Sequence, residues 1–512
     1  MAGAFPFLAD MRAGAGFKLL YWLLAALHLW PIWESAWFVT VDGPCHLANA
    51  RILLDLVRGD EFTGRFFALH TWPEPYWTGP LIMAAVMSVA PAWVAEKVVF
   101  SLAVIAVAWS YRRLAVSLAP ERPWLSLLGM PFLLHYAVAM GFINFCLSLP
   151  LLIMALHCAW HQPQASMRPY PVRLGLILTV LFFTHLTSFM VAGACIALML
   201  LLRDRGEGRS GLLGLRIAAL AALPGVCLTL AYLLLHPTAR GGATWVPLGD
   251  RLAWLVNGRA YNALGVDGEF YASALTAAPV ALLGARVLII GWKKGRTVRT
   301  WLLLAACALA AFLVLPDVAA GGSSASPRAL LFFMLLLSLA ITASEADRAL
   351  AIVAVAVVMA GDIWHTALQA RTARVLAHEA GALLEAAVPI GDAAVVLPLN
   401  YSGNWVHSNL SSYIAATRNA TVLDNFVALA PFSPVQWRPE SLPHGIGDFA
   451  TSNAPCVTVE EYERLTGVPI THVLFWKSPA ESPDSCTTST LEQVAAWQRA
   501  AESSDALLFV AP

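Results

Sequence analysis

The densest set of chemistry-bearing residues follows the first apolar run: Val41-Asp42-Gly43-Pro44-Cys45-His46-Leu47-Ala48-Asn49-Ala50-Arg51. A carboxylate at Asp42 can accept a proton from a hydroxyl, and His46 stands four residues further along the same segment. Asp before Gly-Pro is also an ordinary helix start, so capping is the competing use of Asp42. Glu74, in Trp72-Pro73-Glu74-Pro75-Tyr76-Trp77, brings a second carboxylate to the same loop. The pair Asp60-Glu61 follows Arg58-Gly59 and reads as a turn.

The elements that must position these groups are membrane spans. The 512 residues are 59% hydrophobic and 12% charged, with a mean hydropathy of +0.67; soluble domains carry about 25% charged residues. Thirty-two basic and 32 acidic residues leave no net field, which removes nucleic acid as a partner. Of the eight cysteines, Cys146, Cys158, Cys195, Cys227 and Cys307 fall inside apolar runs and read as small packing residues. No Cys/His spacing suggests a zinc site. Cys456 and Cys486 lie in the polar tail, where an oxidising compartment permits a disulfide.

Two rules thread the chain: a span takes about 20 apolar residues, and Lys/Arg-rich loops stay on the cytoplasmic side. The run Leu19 to Val39 is too long for a signal-peptide core and reads as a retained first span. Further spans fall at 94–110, 124–137, 141–160, 172–185, 187–202, 216–236, 272–292, 300–316, 328–344 and 349–366, about eleven in all. Every basic cluster (Arg112/Arg113, Arg168/Arg173, Arg203/Arg205/Arg209, Lys293/Lys294/Arg296/Arg299) then faces one side, provided that Tyr76 to Val89 is interfacial and that 172–202 breaks at its polar centre, Thr184-His185-Leu186-Thr187-Ser188.

The fold class expected is a polytopic α-helical membrane protein with a small C-terminal α/β soluble domain. Residues 1–366 form the membrane domain, with outer loops 40–92 and 237–271; residues 367–512 form the outer tail. In the tail, 366–387 and 491–501 read as helices, and 393–397, 421–423, 472–476 and 507–510 as strands. The N-terminus is cytoplasmic on this threading. His135, Asn144 and His185 are polar groups within or at the ends of spans, where such groups face a partner or a cavity. The loop after Pro237 carries Arg240, Arg259 and the aromatic residues Trp245, Trp254, Tyr261 and Tyr271, suited to a membrane-interface belt or to sugar stacking.

This order of loops and spans, with an acidic residue opening the first outer loop, an interfacial apolar piece, a span ending in Tyr111-Arg112-Arg113 and an outer tail, resembles the class C glycosyltransferases, membrane enzymes that use polyprenyl-phosphate sugars. The Asp42-Gly43-Pro44-Cys45-His46 run is similar to the Asp-x-x-x-His loops of bacterial members. The resemblance implies that Asp42 acts as general base on the acceptor hydroxyl. It implies a polyprenyl-phosphate sugar donor and a glycan, lipid or protein acceptor, in the bacterial inner membrane with the tail periplasmic or extracellular.

The phosphate that leaves needs nearby positive charge or a metal. Arg328, after Gly321-Gly322-Ser323-Ser324-Ala325-Ser326-Pro327, is the first candidate, with Arg240 and Arg259 as alternatives. His46, Glu74, Asn144 and His185 complete the substrate-binding set. A divalent metal is compatible with these residue types, but the loop lacks the Asp-x-Asp pair of some family members, so the sequence does not demand one. A transporter of lipid-linked substrates or a non-catalytic scaffold is the alternative; a transporter is expected to show paired repeats, and no internal repeat is evident.

Overall fold

The computed structural model describes residues 14–70, 74–161, 169–204, 211–235, 242–291, 295–319, 322–345, 347–430, 432–441, 459–477, 485–503 and 505–512. Contacts divide the chain into two compact units. The first comprises Met1–Ile32, Phe100–Ala139 and Asn144–Arg371; the second comprises Trp33–Val99, Met140–Ile143 and Thr372–Pro512.

Seven helices among the described residues are long and apolar enough to cross a membrane: Ala92–Leu118, Ile143–Trp160, Gly214–Leu235, Glu269–Gly291, Arg296–Val314, Ala325–Ala343 and Arg348–Ala386. The other expected spans are shorter apolar helices, and local chemistry explains why. The first runs from Ala15 to Leu27, and a separate turn, Trp30–Trp33, follows; Pro31 removes a donor there. Residues 124–137 were expected as a span. Instead Pro123–Phe132 is a 3-10 helix with Pro131 inside it, followed by the short helix Tyr136–Ala139. The region 172–202 does break, into Pro169–Thr184 and Leu186–Asp204. Thr78–Met87 has only 10 residues, about 15 Å of helix against a hydrocarbon core of about 30 Å.

Ionisable side chains enclosed in the first unit have partners. His28 Nε2 lies 3.0 Å from Asp362 Oδ2. The Glu269 carboxylate accepts from the backbone N–H groups of Ala263, Leu264 and Gly265 at 3.0, 3.3 and 2.6 Å. Arg251 donates to the carbonyls of Val246, Phe312 and Leu315; the last two are at the end of helix Arg296–Val314, where such carbonyls lack helical partners.

The second unit holds a five-stranded mixed sheet. Its strands are β2 (Ala394–Asn400), β3 (Ala420–Val422), β5 (His472–Trp476), β6 (Gln498–Glu502) and β7 (Ala506–Val510), in the order β3-β2-β5-β7-β6. β2 pairs parallel with β3 and β5, while β7 is antiparallel to β5 and β6. The central β5, His-Val-Leu-Phe-Trp, is buried throughout, the mark of a strand covered on both faces. β6, Gln-Arg-Ala-Ala-Glu, is the polar edge. Residues 491–501 were expected as one helix, yet the helix is Ser485–Val494 and β6 follows it. Pairing with β7 overrides the local preference of Arg499-Ala500-Ala501. Cys456 and the side chain of Cys486 lie outside the described residues.

The loop after the first apolar helix belongs to this same unit. Its strand β1 (Phe67–Leu69) pairs antiparallel with β4 (Val435–Trp437) of the tail. Helix Gly43–Val57 is less a surface helix than expected: Cys45, Leu47, Ala48, Asn49, Ala50, Ile52 and Leu53 are all buried, because it packs against helices Thr78–Met87 and Ser412–Thr417. Asn425 secures it. Asn425 Oδ1 accepts from Asn49 Nδ2 (2.9 Å), Cys45 Sγ (3.1 Å) and Ala428 N (3.2 Å), while its Nδ2 donates to Asn49 Oδ1 at 3.2 Å. Asn425→Ala strands these buried groups and is expected to lower stability by about 1–3 kcal/mol, read as a fall in the thermal midpoint of detergent-solubilised protein.

Candidate active site

Asp42 occupies the N-cap position of helix Gly43–Val57, with φ −98° and ψ −11°, and its side chain makes no capping hydrogen bond. The competing use of this carboxylate is therefore not the one adopted. Asp42 Oδ1 instead lies 3.4 Å from Asn409 Nδ2. The backbone around it is fixed from two sides. Asp42 N donates to Met140 O at 3.1 Å, and Gly141, at φ +75°, lies so close that a Cβ there would fall 2.5 Å from Gly43 N and 2.9 Å from Asp42 N. On the other side a Cβ on Gly43 would meet Glu96 Oε1 at 2.1 Å and Thr40 Oγ1 at 2.2 Å. Glu96 is fully buried, and its Oε2 accepts from the Tyr413 hydroxyl at 3.0 Å.

His46 is half-buried, and burial lowers its pKa to about 4, so it is neutral near pH 7 and contributes no cation to this loop. Glu74 is completely buried, 3.4 Å from His70 Nδ1. Asp60 caps the short helix Glu61–Phe66 through Thr63 N at 2.7 Å and also accepts from Asn419 Nδ2, which agrees with its reading as a turn residue. Asp424 is 4% exposed; burial raises its carboxyl to about 7 although Ser411 donates to it.

The expected cations fall in the first unit. Helix Leu248–Val256 ends in a left-handed residue, Gly258 (φ +64°), with Gly258 N donating to Leu255 O and Arg259 N to Trp254 O. This paired C-terminal motif fixes the direction in which the chain leaves the helix. Arg259 follows, its guanidinium 5.0 Å from the Tyr136 ring centre. Arg328, in the first turn of helix Ala325–Ala343, lies 5.5 Å from the Phe145 ring centre. Asp317 caps that helix through Ser326 N at 2.9 Å. Both guanidinium groups act on the Tyr136 hydroxyl, so they serve one neighbourhood. Arg251 has its donors committed to carbonyls, and Arg259 Nη1 donates to Ala263 O at 3.4 Å.

His185 Nδ1 accepts from Ser188 N at 3.2 Å, capping helix Leu186–Asp204, and the ring lies edge-on to Phe145 with centres 5.2 Å apart. Asn144 is buried beside Phe145 in sequence. Arg240 lies outside the described residues. Of the loop aromatics, Trp245 and Tyr271 are exposed and Tyr261 is buried. An apolar groove of about 500 Å³ runs among helices Leu248–Val256, Glu269–Arg286, Arg296–Val314 and Ala325–Ala343, lined by Val256, Ala281, Leu302, Phe333, Met334 and Leu337 among others.

The structure thus brings Arg259 and Arg328 together with Tyr136, Phe145 and His185, and brings Asp42 together with Asn409. Sequence reasoning passed over Glu96, Asn409 and Asp424: the first is hidden in an apolar run, Asn409 lies more than 300 residues from its partners, and Asp424 has no local pattern to mark it. Among the described residues no group of three His, Cys, Asp or Glu side chains is arranged to hold a metal ion.

The apolar helices, the loop after the first of them and the mixed-sheet tail make an ArnT-like fold, in a multi-pass membrane protein. Two crystal structures share it: ArnT from Cupriavidus metallidurans in the apo state (TM-score 0.60) and the same protein bound to undecaprenyl phosphate (TM-score 0.59). Each is 13% identical, over 97% of this chain and 98% of that chain, so the likeness is one of fold. No family model matches the chain, and no curated protein does.

Two expectations follow. Gly141→Ala should be strained by its positive φ and by backbone contact, with a loss of at least about 1–3 kcal/mol measured by thermal unfolding. Asp424 is raised from 3.8 to about 7 in the folded chain, so the native state holds more protons than the unfolded state between these values. Stability should fall as pH rises through that window, and Asp424→Asn should flatten this part of a plot of thermal midpoint against pH.

Proposed function

We propose that the chain is a membrane glycosyltransferase that moves a sugar from a polyprenyl-phosphate carrier to a hydroxyl of a glycan, lipid or protein acceptor at the outer face of a bacterial inner membrane. In this reading residues 1–366 form the membrane domain with a cytoplasmic N-terminus, and the tail from 367 lies outside. The observation that carries the reading is the Asp42 carboxylate, held on a clamped turn at a helix start and not spent on capping.

The acceptor oxygen forms a bond to the anomeric carbon as the bond from that carbon to the carrier phosphate oxygen breaks. The acceptor proton passes to Asp42, and polyprenyl phosphate departs with the bonding electrons. General-base help of this kind is worth roughly a hundredfold to ten-thousandfold. Negative charge builds on the departing phosphate, which calls for a cation; Arg328 is the first candidate, with Arg240 and Arg259 as alternatives. The groove starts at Leu255 and Val256, a few residues before Arg259, and continues along the helix that begins beside Arg328. It suits the isoprenoid chain of an amphiphile whose phosphate sits at the two arginines. The ArnT structure with undecaprenyl phosphate supports this choice of carrier class. His46, Glu74, Asn144 and His185 are proposed to line the substrate site.

Asp42→Asn is expected to lose transfer by roughly a hundredfold or more while binding carrier as the wild type does, measured with purified protein and a labelled polyprenyl-phosphate sugar. Full transfer by a folded Asp42→Asn protein would contradict the assignment. Arg259→Ala and Arg328→Ala should each weaken polyprenyl-phosphate binding about tenfold, near 1.4 kcal/mol, measured by tryptophan fluorescence titration in nanodiscs.

A further inference from the structure

Asn409 comes from the tail, between the turn Trp405–His407 and helix Ser412–Thr417. It is 2% exposed. Its Nδ2 carries two hydrogens and has two acceptors: Val41 O at 2.8 Å and Asp42 Oδ1 at 3.4 Å. One amide group therefore grips the backbone just before Asp42 and stands within hydrogen-bond reach of the carboxylate. Its Oδ1 is buried without a hydrogen-bond partner among the described residues.

We propose that Asn409 is a positioning residue for Asp42, so that the C-terminal domain helps to set the orientation of the base. This rests on the reading of Asp42 as base given above. Donation to one carboxylate oxygen restricts rotation about the Asp42 side chain. The shorter bond to Val41 O fixes the amide, and Ser412 N, donating to Asn409 O at 3.0 Å, ties its backbone to the following helix. A neutral amide leaves the carboxylate its charge, whereas an ammonium or guanidinium there would form an ion pair and lower its basicity.

The test is a double-mutant cycle on transfer by the full chain, with wild type, Asn409→Ala, Asp42→Asn and the double variant compared. Acceptor KM and kcat are measured separately, and slow turnover is followed over hours. Asn409→Ala is expected to lower kcat about tenfold with acceptor KM within about twofold, and to cost nothing further once Asp42 is Asn, because groups acting as a unit are not additive. Asn409→Asp, which keeps the shape but replaces the donor by an acceptor, is expected to lower kcat at least as far and covers the case in which the alanine variant does not fold. Wild-type kcat in Asn409→Ala or Asn409→Asp beside an impaired Asp42→Asn, or losses that multiply in the double variant, would overturn the positioning role alone. Wild-type kcat in Asp42→Asn would overturn the reading of Asp42 as base, and the role of Asn409 with it.

Discussion

The account of Asp42 depends on one close approach: the backbone of Gly141 against the turn at residues 42 and 43. A Cβ on Gly141 would overlap that turn, and a Cβ on Gly43 would overlap Glu96 and Thr40. Two glycines therefore let the turn lie directly against the backbone of residue 141 and the side chains of Glu96 and Thr40. The turn that results puts a carboxylate at a helix start, where partly charged N–H groups favour an anion. The same geometry withholds the usual capping bond. A cap would tie Asp42 to its own helix; here the turn is fixed by its neighbours instead.

The packing around the turn follows from the same constraint. Glu96 is enclosed and accepts from Tyr413, Asn425 draws Cys45 and Asn49 together, and β1 adds to β4. First loop and tail make one unit through polar groups matched in the interior, where an unmatched group is costly. The first unit solves a different problem. It encloses Asp362 with His28, and Glu269 with three backbone N–H groups, while Arg259 and Arg328 stand against aromatic faces.

Much of the membrane fold was legible because the hydrocarbon core imposes a length and the basic loops impose a side. The break at His185 came from that pair of rules. They fail where backbone chemistry intervenes: Pro31 and Pro131 interrupt apolar runs whose composition alone satisfied the rule. In the tail, β5 was legible as a buried apolar run, but β6 was not. Gln498-Arg499-Ala500-Ala501-Glu502 has helix-forming residues and becomes a strand only because β7 offers an edge. Asp42 could be singled out by its position after the first span. Asn409, Glu96 and Asn425 could not, since their roles arise from contacts between distant segments that no local pattern encodes.

The central claim is that this chain breaks the bond between a sugar and a polyprenyl phosphate. The direct measurement is the release of free polyprenyl phosphate from a panel of polyprenyl-phosphate hexoses and pentoses, presented to purified protein in nanodiscs with cell-envelope acceptors. The account predicts release matched mole for mole by sugar on an acceptor for at least one donor. Protein that binds these donors, or moves them intact across a vesicle membrane, without releasing polyprenyl phosphate would contradict it.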